Sequence, residues 1–271
     1  MNNLFDAALG CIMITDPIEK VQQSHATVKA WQTGQFNLNT TSPPKPILMP
    51  GLPATLHLVL PRQVPRRTLN TKAGQAALLH ALAHIEFNAI NLAWDAIYRF
   101  RDLPRAYYDD WIQVADEEAL HFNLLHEQLQ QLGYNYGDLE AHNGLWEMAV
   151  KTAEDVLTRM ALVPRILEAR GLDATPPIIN KAQAHGLHRL VEILQRILRD
   201  EIGHVAIGSR WFAYLCAERG LNPETTFYNE VKQYFTGSLK TSFNTEARLA
   251  AGFSQQELDY LEKLMANRDR D

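Results

Sequence analysis

Apolar residues recur at every third or fourth position along most of this chain, the spacing of one face of an α-helix. The pattern predicts four long helices over about 72–103, 105–132, 146–185 and 187–219, with glycine or proline close to their ends. Within the third helix, four residues predict a kink or an interruption: Pro164, Gly171, Pro176 and Pro177. The chain is therefore predicted to be all-α.

The residues before the first long helix show a different pattern. Residues 3–33 suit one or two short helices that are broken near Asp16-Pro17. Seven prolines between residues 34 and 71 then leave no helical period. Because this segment is also rich in leucine, it is too apolar for a free linker. We expect an extended arm that packs on the helices.

After the fourth helix, weaker helical patterns lie around residues 225–235 and 254–266, and the charged run from Asn267 is expected to fray. These patterns predict a C-terminal helical extension. The sequence therefore divides into an N-terminal helix with a proline-rich arm, a four-helix domain and a C-terminal extension, at residues 1–70, 71–220 and 221–271.

The same short motif, Glu-x-x-His, occurs in two of the predicted helices. It comprises Glu118 with His121 in the second helix and Glu201 with His204 in the fourth. Residues three apart lie on one face of a helix, so the carboxylate and the imidazole can bind the same metal ion. Each motif lies on an apolar face, where a buried carboxylate is costly unless it is paired or bound to metal. A single such pair also has an ordinary interpretation, as a solvated pair on a helix surface.

A lone glutamate precedes each motif at a nearly constant distance. Glu86 lies 32 residues before Glu118, and Glu168 lies 33 residues before Glu201. If the helices form two antiparallel hairpins, the members of each pair come level. Four helices that supply two glutamates and two Glu-x-x-His motifs provide the ligands of a dinuclear metal site in a ferritin-like four-helix bundle. The predicted metal ligands are Glu86, Glu118, His121, Glu168, Glu201 and His204.

Neighbouring residues leave alternatives open. Glu154 lies fourteen residues before Glu168, close to four helical turns, so either side chain can face the core. Asp200 and Glu117 directly precede the two motif glutamates. Each is expected to accept a hydrogen bond from a histidine of the other motif, as outer carboxylates do around ligand imidazoles. For Glu117, a solvent-facing position is an equal alternative.

Two further histidines lie close to Glu86, and their His-x-x-x-His spacing can itself bind a metal. They are His80 and His84. His84 lies about 160° around the helix from Glu86, however, since each residue turns the helix by about 100°. We therefore expect His84 to pack against the N-terminal arm or to form hydrogen bonds there, and the sequence leaves the role of His80 open.

The ligand types indicate the metal. Carboxylate and imidazole ligands suit iron or manganese better than a structural zinc, which is usually bound through cysteine. We predict two iron ions, with manganese or a mixed iron and manganese pair as the alternative.

Composition restricts the partners. The 26 basic and 31 acidic residues give a net charge of −5, so no global charge favours nucleic acid or an anionic membrane. The two cysteines, Cys11 and Cys216, are far apart and predict a reducing compartment without disulfides. No leader-like segment and no run of about 18 apolar residues is found. The sequence predicts a cytoplasmic protein with no membrane partner.

At these motifs the chain resembles the ferritin-like superfamily. The strings HALAHIE, WIQVADEEALHF, LEARGLDATP and RDEIGHVAIGSRWF are similar to an uncharacterised bacterial family, domain of unknown function 455. The resemblance implies a ferritin-like fold with the six ligands named above, and it implies no substrate. The Glu168-Ala169-Arg170 string and the second motif are also similar to tRNA-modifying non-haem di-iron hydroxylases, from which the proline-rich arm departs. Ribonucleotide reductase small subunits fit less well, because Leu125 occupies the place of their radical tyrosine.

Three functions follow as hypotheses. The first is a di-iron oxidase or hydroxylase that uses dioxygen and an electron donor on an unknown substrate, as a monomer or homodimer. The second is an iron-oxidising protein that stores iron or passes it on. The third is a non-enzymatic helical protein that binds a partner and in which a metal only stabilises the core.

Overall fold

The computed structural model describes residues 2–40, 42–235 and 242–268. Contacts between Cα atoms divide the chain into a first unit, residues 1–150, and a second unit, residues 151–271. Apart from two paired strands of two residues each, the regular structure of the described residues is helical. The prediction of an all-α protein is therefore confirmed.

The first unit contains five helices among its described residues. A pair of parallel strands, β1 at Asn2–Asn3 and β2 at Phe36–Asn37, joins its N-terminus to the start of the arm. The arm contains a single turn of 3₁₀-helix at Pro61–Gln63. The helices are α1 at Leu4–Met13, α2 at Pro17–Gln32, α3 at Lys72–Arg99, α4 at Arg105–Gln131 and α5 at Gly144–Lys151, whose last residue belongs to the second unit.

Capping residues explain where these helices begin. The Asn3 side chain accepts hydrogen bonds from the backbone N–H groups that open α1. Asp16 does the same for α2, and Pro17, which has no N–H to lose, occupies its first position. Thr71 caps α3 through the N–H of Gly74. The predicted break at Asp16-Pro17 and the predicted start of the first long helix are confirmed.

Helices α3 and α4 form an antiparallel hairpin, against which α1 and α2 pack. The chain reverses at Asp102, which has a left-handed backbone conformation with φ of 62°. Glu86 lies sixteen residues before Asp102, and Glu118 lies sixteen residues after it. The hairpin therefore brings these two glutamates to one level, as the sequence predicted.

The arm packs on the helices of the first unit. The Gly51 N–H donates to Ile12 O at 2.9 Å, and the Val59 N–H donates to Ala141 O at 2.8 Å. A Cβ at Gly51 would lie 2.3 Å from Ile14 O, so a larger residue does not fit there. Ile47 is buried, whereas its neighbour Leu48 is 75% exposed. The predicted packing of the arm is confirmed for part of its apolar residues.

The second unit begins with the segment that was predicted as the third long helix, and this segment is not one helix. After α5 the chain turns at residues 152–155, and a new helix starts because Asp155 accepts a hydrogen bond from the Leu157 N–H at 2.9 Å. The described elements that follow are α6 at Val156–Leu162, a π-helical turn at Val163–Glu168, α7 at Ala169–Ala184, α8 at His188–Glu218, α9 at Pro223–Tyr234, α10 at Thr245–Ala250 and α11 at Gln255–Arg268.

Helices α7 and α8 form the second hairpin. Its turn contains Gly186, with φ of 68°, which lies eighteen residues after Glu168 and fifteen before Glu201. Gly220, with φ of 64°, follows the end of α8, where glycine is the favoured residue. Both ends of the fourth predicted helix are confirmed. The grouping of the two hairpins into one four-helix domain stays a prediction.

None of the helices in the described ranges combines the length and the apolar character required to span a membrane.

Candidate metal centre

Three of the six predicted ligands come together inside the first unit. The His121 Nδ1 atom lies 3.4 Å from Glu86 Oε2 and 3.5 Å from Glu118 Oε2. One ligand atom from each of the three residues lies within 4.8 Å of the others. Both distances exceed a normal N–H···O hydrogen bond. They leave room for an ion among the three side chains.

These three side chains are almost completely withdrawn from solvent. Glu118 and His121 are 0% exposed, and Glu86 is 4% exposed. On the same buried face of α4 as Glu118 and His121 lie Ala115, Ala119 and Phe122, which are fully buried and apolar. Carboxylates in such surroundings require a compensating charge.

The raised pKa of Glu86 reflects this cost of burying a charge. Burial is the largest factor that raises the pKa of Glu86, and the negative charge of Glu118 is the next. Contact with His121 acts in the opposite direction. Two ionised carboxylates side by side in a dry site are unfavourable, and a divalent cation between them would remove the repulsion. The donor set therefore fits a metal ion.

Two further ligands lie together in the second unit. Glu201 and His204 are three residues apart on α8, with His204 Nδ1 3.8 Å from Glu201 Oε2. Glu201 is 7% exposed and His204 is 1% exposed. The second Glu-x-x-His motif thus has the same arrangement as the first, on a helix whose inner face is equally buried. Neither pair is a solvated surface pair.

Glu168 is the last residue of the π-helical turn and is half-buried. In a π-helix the backbone hydrogen bonds join residues five apart, so the turn is wider than in an α-helix and changes the direction in which later side chains point. Pro164 lies inside this turn and has no N–H to donate, which weakens the α-helical alternative. The turn packs against α8, the helix of Glu201 and His204.

Glu154, the alternative to Glu168, lies in the turn before α6 and is exposed. The spacing of about four helical turns predicted that Glu154 and Glu168 lie on the same face of one helix. This prediction is wrong, because no continuous helix joins the two residues. Glu154 is therefore unsuited to a buried metal site.

The two residues predicted to support the histidines are both half-buried. Glu117 accepts a hydrogen bond from Gln113 Nε2 at 3.0 Å. Asp200 lies 3.3 Å from the Nε atom of Arg196 on the same helix. Their predicted hydrogen bonds would join histidines of the other unit and stay predictions.

His80 and His84 form hydrogen bonds with the connection between α4 and α5, whereas the sequence predicted that His84 contacts the N-terminal arm. The His80 Nε2 atom accepts a hydrogen bond from the Gly137 N–H at 3.0 Å. His84 Nδ1 lies 2.8 Å from the Tyr136 hydroxyl, and Nε2 lies 3.0 Å from His142 O. Burial lowers the pKa of both histidines to about 4. Both anchor the connection between α4 and α5.

Tyr136 is the residue of this anchor that sequence reasoning missed. Its ring is buried and contacts the rings of His80, His84, Phe87 and Phe122. The only signal in the sequence was a tyrosine within a glycine-rich connection. This pattern is common in exposed loops, so it did not predict a buried ring.

Among the described residues, Glu86, Glu118, His121 and Glu201 are thus buried side chains of the types that can hold a metal ion.

A family model described as "Protein of unknown function (DUF455)" matches residues 13–259. The chain is also similar to an uncharacterized protein of Haemophilus influenzae, with 52% identity over 211 residues that cover 75% of this chain and 73% of that protein. No solved structure matches the chain. The matched region includes all six predicted ligands, and neither description states an activity.

Proposed function

The chain belongs to the DUF455 family of proteins of unknown function, and we propose that it is a ferritin-like dinuclear iron protein that oxidises a substrate with dioxygen. The observation that carries the proposal is the buried group of Glu86, Glu118 and His121, in which two carboxylates and an imidazole share one dry site. Burial of two carboxylates beside one imidazole is costly, and a bound metal cation would offset that cost.

The repeat supports a second metal ion. Glu201 and His204 reproduce the pair Glu118 and His121 on another helix, and Glu168 precedes Glu201 by 33 residues, close to the 32 residues between Glu86 and Glu118. We propose that the two hairpins form one four-helix bundle in which all six side chains hold two ions. Such bundles place Glu from two helices and Glu-x-x-His from the other two around a dinuclear centre.

Iron is the proposed metal because the set contains four carboxylates, two imidazoles and no thiolate. Manganese, or one ion of each kind, uses the same ligands. When bound, two redox-active ions supply electrons and open coordination positions to dioxygen. An electron donor must then restore the reduced state after each reaction.

The residues of the chain have separable tasks in this function. The glutamates would neutralise the charge of the ions, and each histidine would bind its ion through an unprotonated ring nitrogen. The apolar surroundings of Glu118 and His121 exclude water from the reacting atoms. Asp200 and Glu117 are proposed to fix the orientation of the histidines by accepting their remaining N–H groups.

The test is metal content by mass spectrometry on protein from iron-supplemented cells, followed by oxygen consumption with a reductant. We expect about two iron or manganese atoms per chain, with metal lost in Glu118→Ala and in Glu201→Ala. Glu154→Ala is the matched control, since Glu154 is exposed, and it should retain the wild-type metal content.

The same experiment separates the other functions. If oxygen consumption requires only Fe²⁺ and the protein forms an assembly of many subunits, iron storage would be the favoured function instead of substrate oxidation. Metal that is bound but inert toward oxygen and reductant would indicate a structural ion. A folded wild-type protein without metal would refute a metal function altogether.

A further inference from the structure

Arg165 lies inside the π-helical turn, three residues before Glu168, and its side chain is 3% exposed. Its Nη2 atom donates to Glu257 Oε2 at 2.7 Å, and its Nε atom donates to Ser209 Oγ at 3.2 Å. Glu257 belongs to α11, and Ser209 belongs to α8. The wide turn is therefore tied through one guanidinium group to two other helices of the second unit.

The surroundings of this guanidinium group restrict it further. Its central carbon lies within 4.8 Å of the ring centroids of Phe212, Phe227 and Phe253. Arginine combines stacking of its planar guanidinium group with a rigid fork of hydrogen-bond donors, whereas lysine has a flexible point charge. The position of Arg165, and with it the path of the π-helical turn, is thus closely defined.

A second buried ion pair follows on the other side of Glu168. Arg248, in α10, donates to Asp173 at 3.0 and 2.6 Å. Its Nη2 atom also donates to Ala169 O at 3.3 Å, on the residue that follows Glu168. Residues of the C-terminal extension therefore contact the chain both before and after Glu168.

Buried ion pairs add little net stability compared with apolar packing, because removing two charges from water is costly. Their benefit lies in fixing one geometry through directed hydrogen bonds. Here the geometry that they fix is the turn that ends at a predicted metal ligand. Nothing in the helical pattern alone requires two charged pairs at this point.

We propose that Arg165 and Glu257 are positioning residues for the ligand Glu168, so that the C-terminal extension completes the metal site. This inference rests on the dinuclear site proposed above. Groups that support metal ligands in this way affect metal affinity by about 10-fold to 100-fold when they are changed.

The test titrates the full-length metal-free protein with Co²⁺ and follows its visible absorption, which reports the ligands around each ion. We expect the wild type to bind two ions. Glu257→Gln should weaken one of the two sites by at least about 10-fold and change its absorption bands. Glu168→Ala should weaken the same site. The double variant should bind no more weakly than Glu168→Ala alone, because positioning acts only through the ligand.

Two variants keep this experiment interpretable. Asp155→Ser removes the surface ion pair with Arg219 in the same unit and leaves a capping hydroxyl, so it controls for general destabilisation. If Glu257→Gln does not fold, Ser209→Ala removes the other hydrogen bond of Arg165 without a change of charge.

The outcomes are distinct. Wild-type affinity for both ions in Glu257→Gln, or in Ser209→Ala where the former does not fold, overturns the positioning role alone. Additive losses in the double variant overturn it as well. A wild-type protein that binds no Co²⁺ overturns the dinuclear site and the positioning role with it.

Discussion

Pro164 lies directly against Gly208, so closely that a Cβ atom added to Gly208 would come within 2.3 Å of the proline ring. Gly208 belongs to α8, one turn beyond His204, and Pro164 is the second residue of the π-helical turn that ends at Glu168. The missing side chain lets the backbone of α8 approach the irregular part of the neighbouring segment. The distance between two predicted ligand-bearing segments thus depends on one glycine.

Replacement of Gly208 by alanine is therefore expected to lower the free energy of unfolding. An extra methyl group in a packed core costs about 1 to 3 kcal/mol, which outweighs the gain of up to about 1 kcal/mol from a better helix former. Urea unfolding of the metal-free protein measures the difference. Gly203→Ala is the control, because an added Cβ there meets nothing within 4 Å, and it should be neutral or stabilising. Equal effects at the two glycines would contradict the close approach.

Helical periodicity was enough to predict the first hairpin and the fourth long helix, whereas the segment predicted as the third long helix is interrupted. Apolar spacing and end signals such as Thr71 and Gly220 are local, and local signals decide where long helices begin and end. Because Glu86 and Glu118 are equally distant from the turn at Asp102, counting residues also predicted that they meet. The meeting of these two carboxylates required no knowledge of tertiary structure beyond an antiparallel pair.

The features that sequence reasoning missed depend on tertiary contacts. The π-helical turn is held by Arg165, whose partner Glu257 lies 92 residues away. The anchoring of His84 requires Tyr136, 52 residues away. The helix α10 is only six residues long, too short for a periodic signal. No window along the sequence contains these pairs, and propensity alone cannot favour an irregular turn over a continuous helix.

His80 predicts a pH dependence of stability. Burial lowers its pKa in the folded state to about 4, below the value near 6.5 of an exposed histidine. The unfolded chain therefore binds the proton more readily, so stability falls as the pH drops from about 6.5 to about 4. The hydrogen bond of His80 changes stability in the same direction, because a protonated Nε2 atom cannot accept the hydrogen bond from the Gly137 N–H.

In His80→Gln the slope of unfolding free energy against pH should decrease in this range, by up to about 1.4 kcal/mol per pH unit. Urea unfolding midpoints of the metal-free protein between pH 4 and pH 8 provide the measurement. His188→Gln, at an exposed position of α8, is the control and should leave the slope nearly unchanged. An unchanged slope in His80→Gln would show that this histidine is not held neutral by its surroundings.

Glu118 predicts opposite effects in the presence and in the absence of metal. Without metal, its charge raises the pKa of Glu86, so the two carboxylates repel each other. Glu118→Gln should therefore stabilise the metal-free protein by about 1 kcal/mol above about pH 8, the raised pKa of Glu86, since one unit of pKa corresponds to about 1.4 kcal/mol. Since the repulsion needs both carboxylates ionised, the gain should shrink as the pH falls below about 8, where Glu86 takes up a proton.

With metal, the order reverses. A ligand present at 100 times its dissociation constant stabilises the folded wild type by about 2.7 kcal/mol, and Glu118→Gln should lose most of this gain. Thermal unfolding with and without Mn²⁺ measures both effects on the same samples, and Glu154→Gln, exposed in its turn, should behave as the wild type does. If Glu118→Gln destabilises the metal-free protein, the buried carboxylates do not repel each other. If Mn²⁺ stabilises the variant and the wild type equally, Glu118 is not a ligand. We expect the variant to be the more stable protein without metal and the wild type to be the more stable protein with metal. This reversal requires that charge repulsion and metal binding act at the same carboxylate, that of Glu118.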